Sequence, residues 1–173
     1  DRAFHRNPNA VAHLAAALRR GLAAAGMAAC GKHYPGHGYV AADSHTDVPV
    51  DGRPMTAIAA DDLVPFGTLV HGGLEAIMPA HVIYPEVDDK PAGYSRVWLQ
   101  EILRGRLGFD GMVFSDDLGM AGALKPAAGA TTRFEPLLQS SAQAALLDAM
   151  QVQMNRDPAA LLDQAQTGAR LAL

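Results

Sequence analysis

Apolar residues recur at helical spacing near the start of the chain. Asn7 and Pro8 precede them as a predicted N-cap and first-turn proline, and Gly26 follows as a predicted stop signal. The aliphatic positions lie three or four residues apart, which places them on one face of a helix: Val11, Leu14, Leu18 and Leu22. The pattern predicts an amphipathic helix between Asn7 and Gly26.

Three short apolar runs, at residues 27–31, 74–78 and 111–115, are typical of buried strands. Each one follows a segment with a helical pattern. Parallel strands with helices packed outside them are the natural arrangement of such a repeat. Periodicity alone does not distinguish an open sheet from a closed barrel.

Two helical segments separate these predicted strands. Residues 57–71 form a helical region that Pro65 interrupts and that two glycines, 72–73, close. Ser95 is the predicted N-cap of a helix whose apolar residues run from Val97 to Leu103.

The last fifty residues carry a weaker pattern. Residues 137–150 and 158–173 are predicted to be helical, with a strand near 150–155 between them. Glutamines alternate along that strand, whereas a strand covered on both faces is nearly all apolar. Its place in a sheet is therefore open.

Composition restricts the class of protein. The chain has 173 residues, of which 49% are hydrophobic and 18% charged, enough for a folded core. The formal charge of −4 argues against a nucleic-acid partner. No apolar stretch approaches the ~20 residues that span a bilayer, so we expect no membrane association. One cysteine fits a reducing compartment, and we expect a cytoplasmic protein.

Titratable side chains cluster just after the first predicted strand. The cluster consists of Lys32-His33-Tyr34-Pro35-Gly36-His37-Gly38 and, after four intervening residues, Asp43-Ser44-His45. Its proline and glycines disfavour a regular helix, which predicts a loop. In parallel α/β folds the loops at the C-terminal ends of strands carry ligand sites. We therefore predict a functional site here.

A second motif, Gly111 to Met120, is an apolar run that ends in Ser-Asp-Asp-Leu and then a methionine. Together the two stretches resemble glycoside hydrolase family 3 β-N-acetylglucosaminidases, bacterial cytoplasmic enzymes of peptidoglycan recycling. The resemblance covers about residues 1–123. It implies an α/β fold of the (β/α)8 TIM-barrel type, which takes about 250 residues. We therefore expect residues 1–173 to be a single partial barrel domain, the C-terminal half, with a divergent tail at 124–173.

The resemblance also implies a mechanism and a site. It implies a retaining hydrolysis of terminal N-acetyl-β-glucosamine from muropeptides, without cofactor or metal. Asp116 would be the nucleophile, forming a covalent glycosyl intermediate, and His45 the acid/base, oriented by Asp43. A carboxylate beside an imidazole stabilises its protonated form and fixes its tautomer. Lys32 and His33 would bind the sugar.

Each assignment has an alternative. Asp116 could cap the turn that follows it, and Asp43 and His45 could simply form a polar turn. Lys32 could be a solvated charge at the strand end, and His33 a hydrogen-bonded histidine of the core. His37 could shape the loop, and His81, just past a predicted strand, is expected near the pocket.

Two other classes of protein remain open. The histidines of the first motif, with Asp43, could bind zinc or iron, although their spacing fits no closed zinc motif. Alternatively, the chain is an inactive remnant of a glycosidase. In that case its open sheet edges would favour self-association.

Overall fold

The computed structural model describes residues 3–124, which lie within one compact unit, 1–131. Helices alternate with strands in this part of the chain. The elements are α1 Pro8–Ala24, β1 Cys30–Tyr34, α2 Met55–Ala60, α3 Leu63–His71, β2 Ala76–Pro79, β3 Ile83–Tyr84, β4 Asp88–Pro91, α4 Val97–Arg106 and β5 Met112–Val113. The helices predicted at 137–150 and 158–173 and the strand near 150–155 lie outside the described residues.

The main sheet is parallel, with the strand order β1-β2-β5. Lys32 lies opposite Met78 across the first pair, and Ile77 lies opposite Val113 across the second. Helices α2 and α3 connect β1 to β2, and α4 precedes β5. Because parallel strands end at the same edge of a sheet, the segments after all three strands meet on one side. The predicted parallel α/β arrangement is confirmed for the described residues.

The strand limits differ from the predicted ones. Strand β1 begins at Cys30 rather than residue 27 and includes Lys32 and His33, while β2 begins two residues later than predicted. Strand β5 is only Met112–Val113. Pairing between backbones sets these limits, whereas hydropathy marks only which residues are apolar. Lys32 is consequently paired with Met78 in the sheet, while His33 lies at the irregularity in the register between Lys32 and Tyr34.

Helix α1 has the predicted ends but not the predicted buried face. The Asn7 Oδ1 atom accepts hydrogen bonds from the amides of residues 9 and 10, at 2.9 and 3.2 Å. Leu14 and Leu18 are 47% and 52% exposed, and α1 instead packs through alanines such as Ala12. Alanines allow close approach to α3. These small residues, which were not among the aliphatic positions of the predicted face, therefore form the contact.

The helical region 57–71 is interrupted before Pro65. The break lies at Asp61 and Asp62, between α2 and α3, and Pro65 is the third residue of α3. In the first turn of a helix the missing proline N–H has no intrahelical partner to lose. Ser95 is the N-cap predicted for α4, because its Oγ accepts the Trp98 amide at 3.1 Å. The hydrogen bonding of α4 is of the π type.

An antiparallel hairpin, β3 with β4, was not predicted. Its turn is closed by a hydrogen bond from the Val87 amide to the Tyr84 carbonyl at 2.8 Å. Pro85 stands at the position of this turn where proline is favoured, which is the signal that could have revealed it.

An aromatic cluster lies at the centre of the core, between the sheet and the helices. The Tyr34 ring is fully buried, with its centroid 5.4 Å from that of Phe66 and 6.0 Å from that of Trp98. The Tyr34 hydroxyl donates to the Trp98 carbonyl at 3.2 Å. Burial raises the pKa of Tyr34 well above its usual range. The C-terminal end of β1 is thereby fixed to α4.

None of the helices within residues 3–124 combines the length and the apolar character that crossing a membrane requires.

Candidate active site

Asp116 and His33 meet at the C-terminal edge of the sheet. The Asp116 Oδ2 atom lies 3.5 Å from the His33 Nε2 atom, and their side chains are 20% and 28% exposed. Asp116 follows β5 and His33 belongs to β1. Strand β2 lies between these two strands in the sheet. Asp116 and His33 therefore flank the end of a third strand and do not lie on two directly paired strands. The aspartate is thus presented to solvent beside an imidazole.

The two adjacent aspartates have different local roles. Asp117 Oδ1 accepts the Gly119 amide at 2.8 Å, and the Asp117 carbonyl accepts the Met120 amide at 3.2 Å. Asp117 therefore closes the turn after β5. Asp116 Oδ1 accepts the Asp117 amide at 2.8 Å, which leaves Oδ2 directed toward His33. Capping of this turn, which we considered as an alternative role for Asp116, is therefore performed by Asp117.

Lys32 lies on the same sheet face as Cys30, two positions earlier on β1, as alternation along a strand requires. Burial raises the pKa of the Cys30 thiol, and the nearby Lys32 ammonium opposes that rise. Within residues 3–124, Lys32 forms no ion pair with Asp116. The structure therefore joins His33 to Asp116 directly but does not join Lys32 to it.

Asp43 and His45 form the predicted pair. The His45 Nδ1 atom lies 2.6 Å from Asp43 Oδ1, and the His45 amide donates to the same oxygen at 2.9 Å. The amide bond is the main reason that the pKa of Asp43 is lowered, with the imidazole contributing next. Both side chains are exposed, at 64% and 62%. Because Nδ1 is engaged, Nε2 is the ring nitrogen directed away from Asp43.

His37 links this loop to the sheet. Its Nε2 atom lies 3.2 Å from the Ser44 Oγ atom, and its ring centroid lies 6.3 Å from that of His33 in an edge arrangement. Ser44 is buried. The contacts agree with the loop-shaping alternative that we considered for His37.

The segment after Asp116 contacts the loop that carries His45. The Gly122 amide donates to the Ser44 carbonyl at 3.0 Å, and the Ala121 amide donates to the His45 carbonyl at 3.4 Å. His81, which is buried, lies beside the same segment with its Nε2 atom 3.1 Å from the Asp117 carbonyl. The two sequence motifs are therefore in direct contact, and His81 lies at their junction, as expected from its position after β2.

Arg53 holds the base of the same loop. Its Nη2 atom lies 2.7 Å from Asp51 Oδ2 and 2.6 Å from Asp62 Oδ2, and its guanidinium carbon lies 3.9 Å from the centre of the Tyr39 ring. Gly36, at the other end of the loop, is so close to the Asp62 carboxylate that a side chain there would overlap it. We call Arg53, Asp51 and Asp62 the Arg53 brace. The brace was not predicted from the sequence, because charged loop residues carry no periodic signal.

Metal binding was an alternative for the first motif. Within residues 3–124 the structure contains no group of three or more His, Cys, Asp or Glu side chains placed to hold a metal ion.

Comparison with known proteins gives consistent matches. The chain is 60% identical over 147 residues to a β-hexosaminidase of Thiobacillus denitrificans, covering 85% of this chain and 41% of that protein. It is 63% identical over 123 residues to a β-hexosaminidase of Bordetella avium, covering 71% and 35%. Its fold matches NagZ from Neisseria gonorrhoeae, solved with N-trifluoroacetyl-D-glucosamine, at 58% identity and a TM-score of 0.66, covering 68% and 34%.

The chain thus spans between about a third and two fifths of the length of these relatives. A family model, the glycosyl hydrolase family 3 N terminal domain, matches residues 1–170, further than the 1–123 over which the motifs suggested a resemblance. This domain is of the TIM-barrel type, and the described residues form an α/β part of it. The chain therefore belongs to glycosyl hydrolase family 3.

Proposed function

We propose that the protein hydrolyses terminal N-acetyl-β-glucosamine residues of muropeptides by a retaining mechanism, with Asp116 as nucleophile. The observation that carries this proposal is the position of Asp116, half-buried, 3.5 Å from His33 at the strand ends. Support comes from relatives that are β-hexosaminidases and from a relative solved with an N-acylated glucosamine. The muropeptide as substrate and cell-wall recycling as context rest on the family resemblance.

In the first step, Asp116 Oδ2 attacks the anomeric carbon and the bond to the leaving oxygen breaks. The transition state resembles an oxocarbenium ion, so a carboxylate beneath the ring stabilises the positive charge at carbon. The leaving oxygen gains negative charge and takes a proton from His45 Nε2. Asp43 holds Nδ1 of the same ring at 2.6 Å, which orients the imidazole so that Nε2 faces the leaving group.

In the second step, water replaces the covalent bond to Asp116. His45, now neutral, accepts a proton from that water, and the sugar leaves with its original anomeric configuration. Lys32 and His33 donate hydrogen bonds to the sugar hydroxyls. These roles agree with the exposure of Lys32 and the half-buried position of His33 on β1.

Asp116→Asn tests the nucleophile, with Asp117→Asn as its matched control. Asparagine keeps an oxygen for the turn that Asp117 forms. In a form extended upstream to the length of the relatives, only Asp116→Asn is therefore expected to abolish turnover of a chromogenic N-acetyl-β-glucosaminide. Mass spectrometry of protein treated with a slow fluorinated substrate should show the glycosyl adduct on the peptide containing Asp116. Equal loss in both variants, or an adduct elsewhere, would contradict the assignment.

A second candidate is that residues 1–173 form an inactive part of such an enzyme. The observation in its favour is length, since the chain spans only about a third to two fifths of its relatives. We propose that 1–173 is one partial barrel domain and that 124–173 is its divergent tail. Open sheet edges would then promote association of two copies. Activity of the chain alone, compared with a form extended upstream, distinguishes the two candidates.

A further inference from the structure

We propose that Gly122 is a positioning residue that fixes the His45 loop, residues 41–47, relative to the nucleophile Asp116. The inference rests on the roles proposed above for Asp116 and His45. It concerns three segments that converge at one glycine: the His45 loop, the residues around His81 and the turn after Asp116.

Two backbone hydrogen bonds join the turn after Asp116 to the His45 loop. Gly122 donates to the Ser44 carbonyl at 3.0 Å and Ala121 to the His45 carbonyl at 3.4 Å. Residues 121–124 begin a helical turn after Met120, whose carbonyl accepts the amides of residues 123 and 124. Amides in a first helical turn have no intrahelical acceptor. The carbonyls of the His45 loop supply those acceptors, so the loop and the turn stabilise one another.

Position 122 has no room for a side chain. A Cβ atom built on Gly122 would lie 2.9 Å from the His81 carbonyl oxygen, 3.0 Å from the His81 Cβ and 3.2 Å from the Ser44 carbonyl oxygen. Two of these three atoms belong to the backbone and cannot rotate away. Any larger residue must therefore push the Ser44 backbone and the His81 backbone apart.

This contact is also connected to the nucleophile. His81 is buried, and its Nε2 atom lies 3.1 Å from the carbonyl of Asp117, the residue next to Asp116. Gly122 therefore lies between the segment that holds the turn after Asp116 and the loop that carries His45. Displacing the loop by about 1 Å is enough to cost on the order of 10²-fold in rate when a catalytic group loses its alignment.

The geometric part is tested on the 173-residue chain by hydrogen–deuterium exchange. Gly122→Ala should raise exchange in both the His45 loop and residues 117–124. Gly52→Ala is the matched control, because a Cβ atom at Gly52 meets no atom within 4 Å. A second variant, Ala121→Pro, removes one donor at a first-turn position where proline is tolerated, and it should raise exchange in the loop alone. Unchanged exchange in Gly122→Ala overturns the inference.

The catalytic part is tested by leaving-group dependence in a form extended upstream to the length of the relatives. A misplaced acid matters most when the leaving group needs its proton. Gly122→Ala should therefore lower kcat/KM by 10- to 100-fold for an alkyl or sugar leaving group and by less than threefold for a dinitrophenyl one. A purely structural defect would lower both equally, and that result would overturn the positioning role.

His45→Ala separates this inference from the proposed function. If His45→Ala loses activity selectively on poor leaving groups while Gly122→Ala behaves like Gly52→Ala, only the inference fails. If His45→Ala shows no such selectivity, the role proposed for His45 fails, and the exchange measurement alone decides whether Gly122 holds the loop.

Discussion

Replacing Tyr34 should destabilise the fold, and two substitutions separate the contribution of its hydroxyl from that of its ring. The Tyr34 ring is fully buried against Phe66 and Trp98, and its hydroxyl donates to the Trp98 carbonyl at 3.2 Å. Tyr34→Phe removes only that hydrogen bond, which is worth about 0.5–1.5 kcal/mol. Tyr34→Ala also leaves a cavity where the ring stood, and losses of this kind cost about 3–5 kcal/mol. The expected order of stability is therefore native, then Tyr34→Phe, then Tyr34→Ala.

Urea unfolding followed by fluorescence and circular dichroism measures these differences, provided that the slope with urea stays constant between variants. Tyr39→Phe is the control, because Tyr39 lies in the loop that follows β1 but is 64% exposed. Its effect should stay within about 0.5 kcal/mol. Equal losses in Tyr34→Phe and Tyr39→Phe, or a loss below about 1 kcal/mol in Tyr34→Ala, would refute the reasoning that Tyr34 anchors the end of β1.

Three further results are expected. Asp43→Ala should lower kcat by about 10²–10⁴-fold on a poor leaving group, because His45 loses its orienting partner; unchanged kcat in an extended, active form would contradict the pairing. Hydrogen bonds from Arg19 lower the pKa of Glu75 to about 2. The ionised Glu75 carboxylate therefore contributes fully to the free energy of unfolding above its unfolded-state pKa near 4.5, and this contribution is lost as the pH falls toward 2. Since the Glu75 side chain is 35% exposed, that contribution is at most about 1 kcal/mol, and urea unfolding of Glu75→Gln should show a smaller decrease between pH 6 and pH 3 than the native chain. On the proposal that residues 1–173 are a partial barrel, the 173-residue chain alone should show little hydrolysis of an N-acetyl-β-glucosaminide, because part of the wall that positions the substrate would be missing; a rate equal to that of an extended form would show the opposite.

Local signals predicted the parts of the fold that depend on neighbours in sequence. The caps of α1 and α4, at Asn7 and Ser95, are short-range hydrogen bonds, and both were predicted. The buried face of α1 was not, because it depends on how closely α3 approaches. The start of β1 was also misplaced, since strand pairing with β2 is a long-range property.

One contact within the candidate site was predicted from the sequence, and others were not. The pairing of Asp43 with His45 spans two residues and followed from the sequence. The contact of Gly122 with Ser44 joins residues far apart in the chain, and no periodicity encodes it. The break at residues 61–62 was assigned to Pro65, because proline was taken as a helix breaker irrespective of its place in the first turn.

The Arg53 brace affects how the longer segment that contains the His45 loop, residues 36–53, can change during evolution. Arg53 joins Asp51 to Asp62, and the Asp62 carboxylate lies against Gly36, so the two ends of this segment are held near each other. The entropy of closing a flexible loop rises slowly with length, and doubling the number of residues between its ends adds only about 0.6 kcal/mol. Insertions between the two ends should therefore leave the fold nearly as stable while moving His45. On the role proposed for His45, the length of this segment can alter the accepted leaving group without a compensating change in the core.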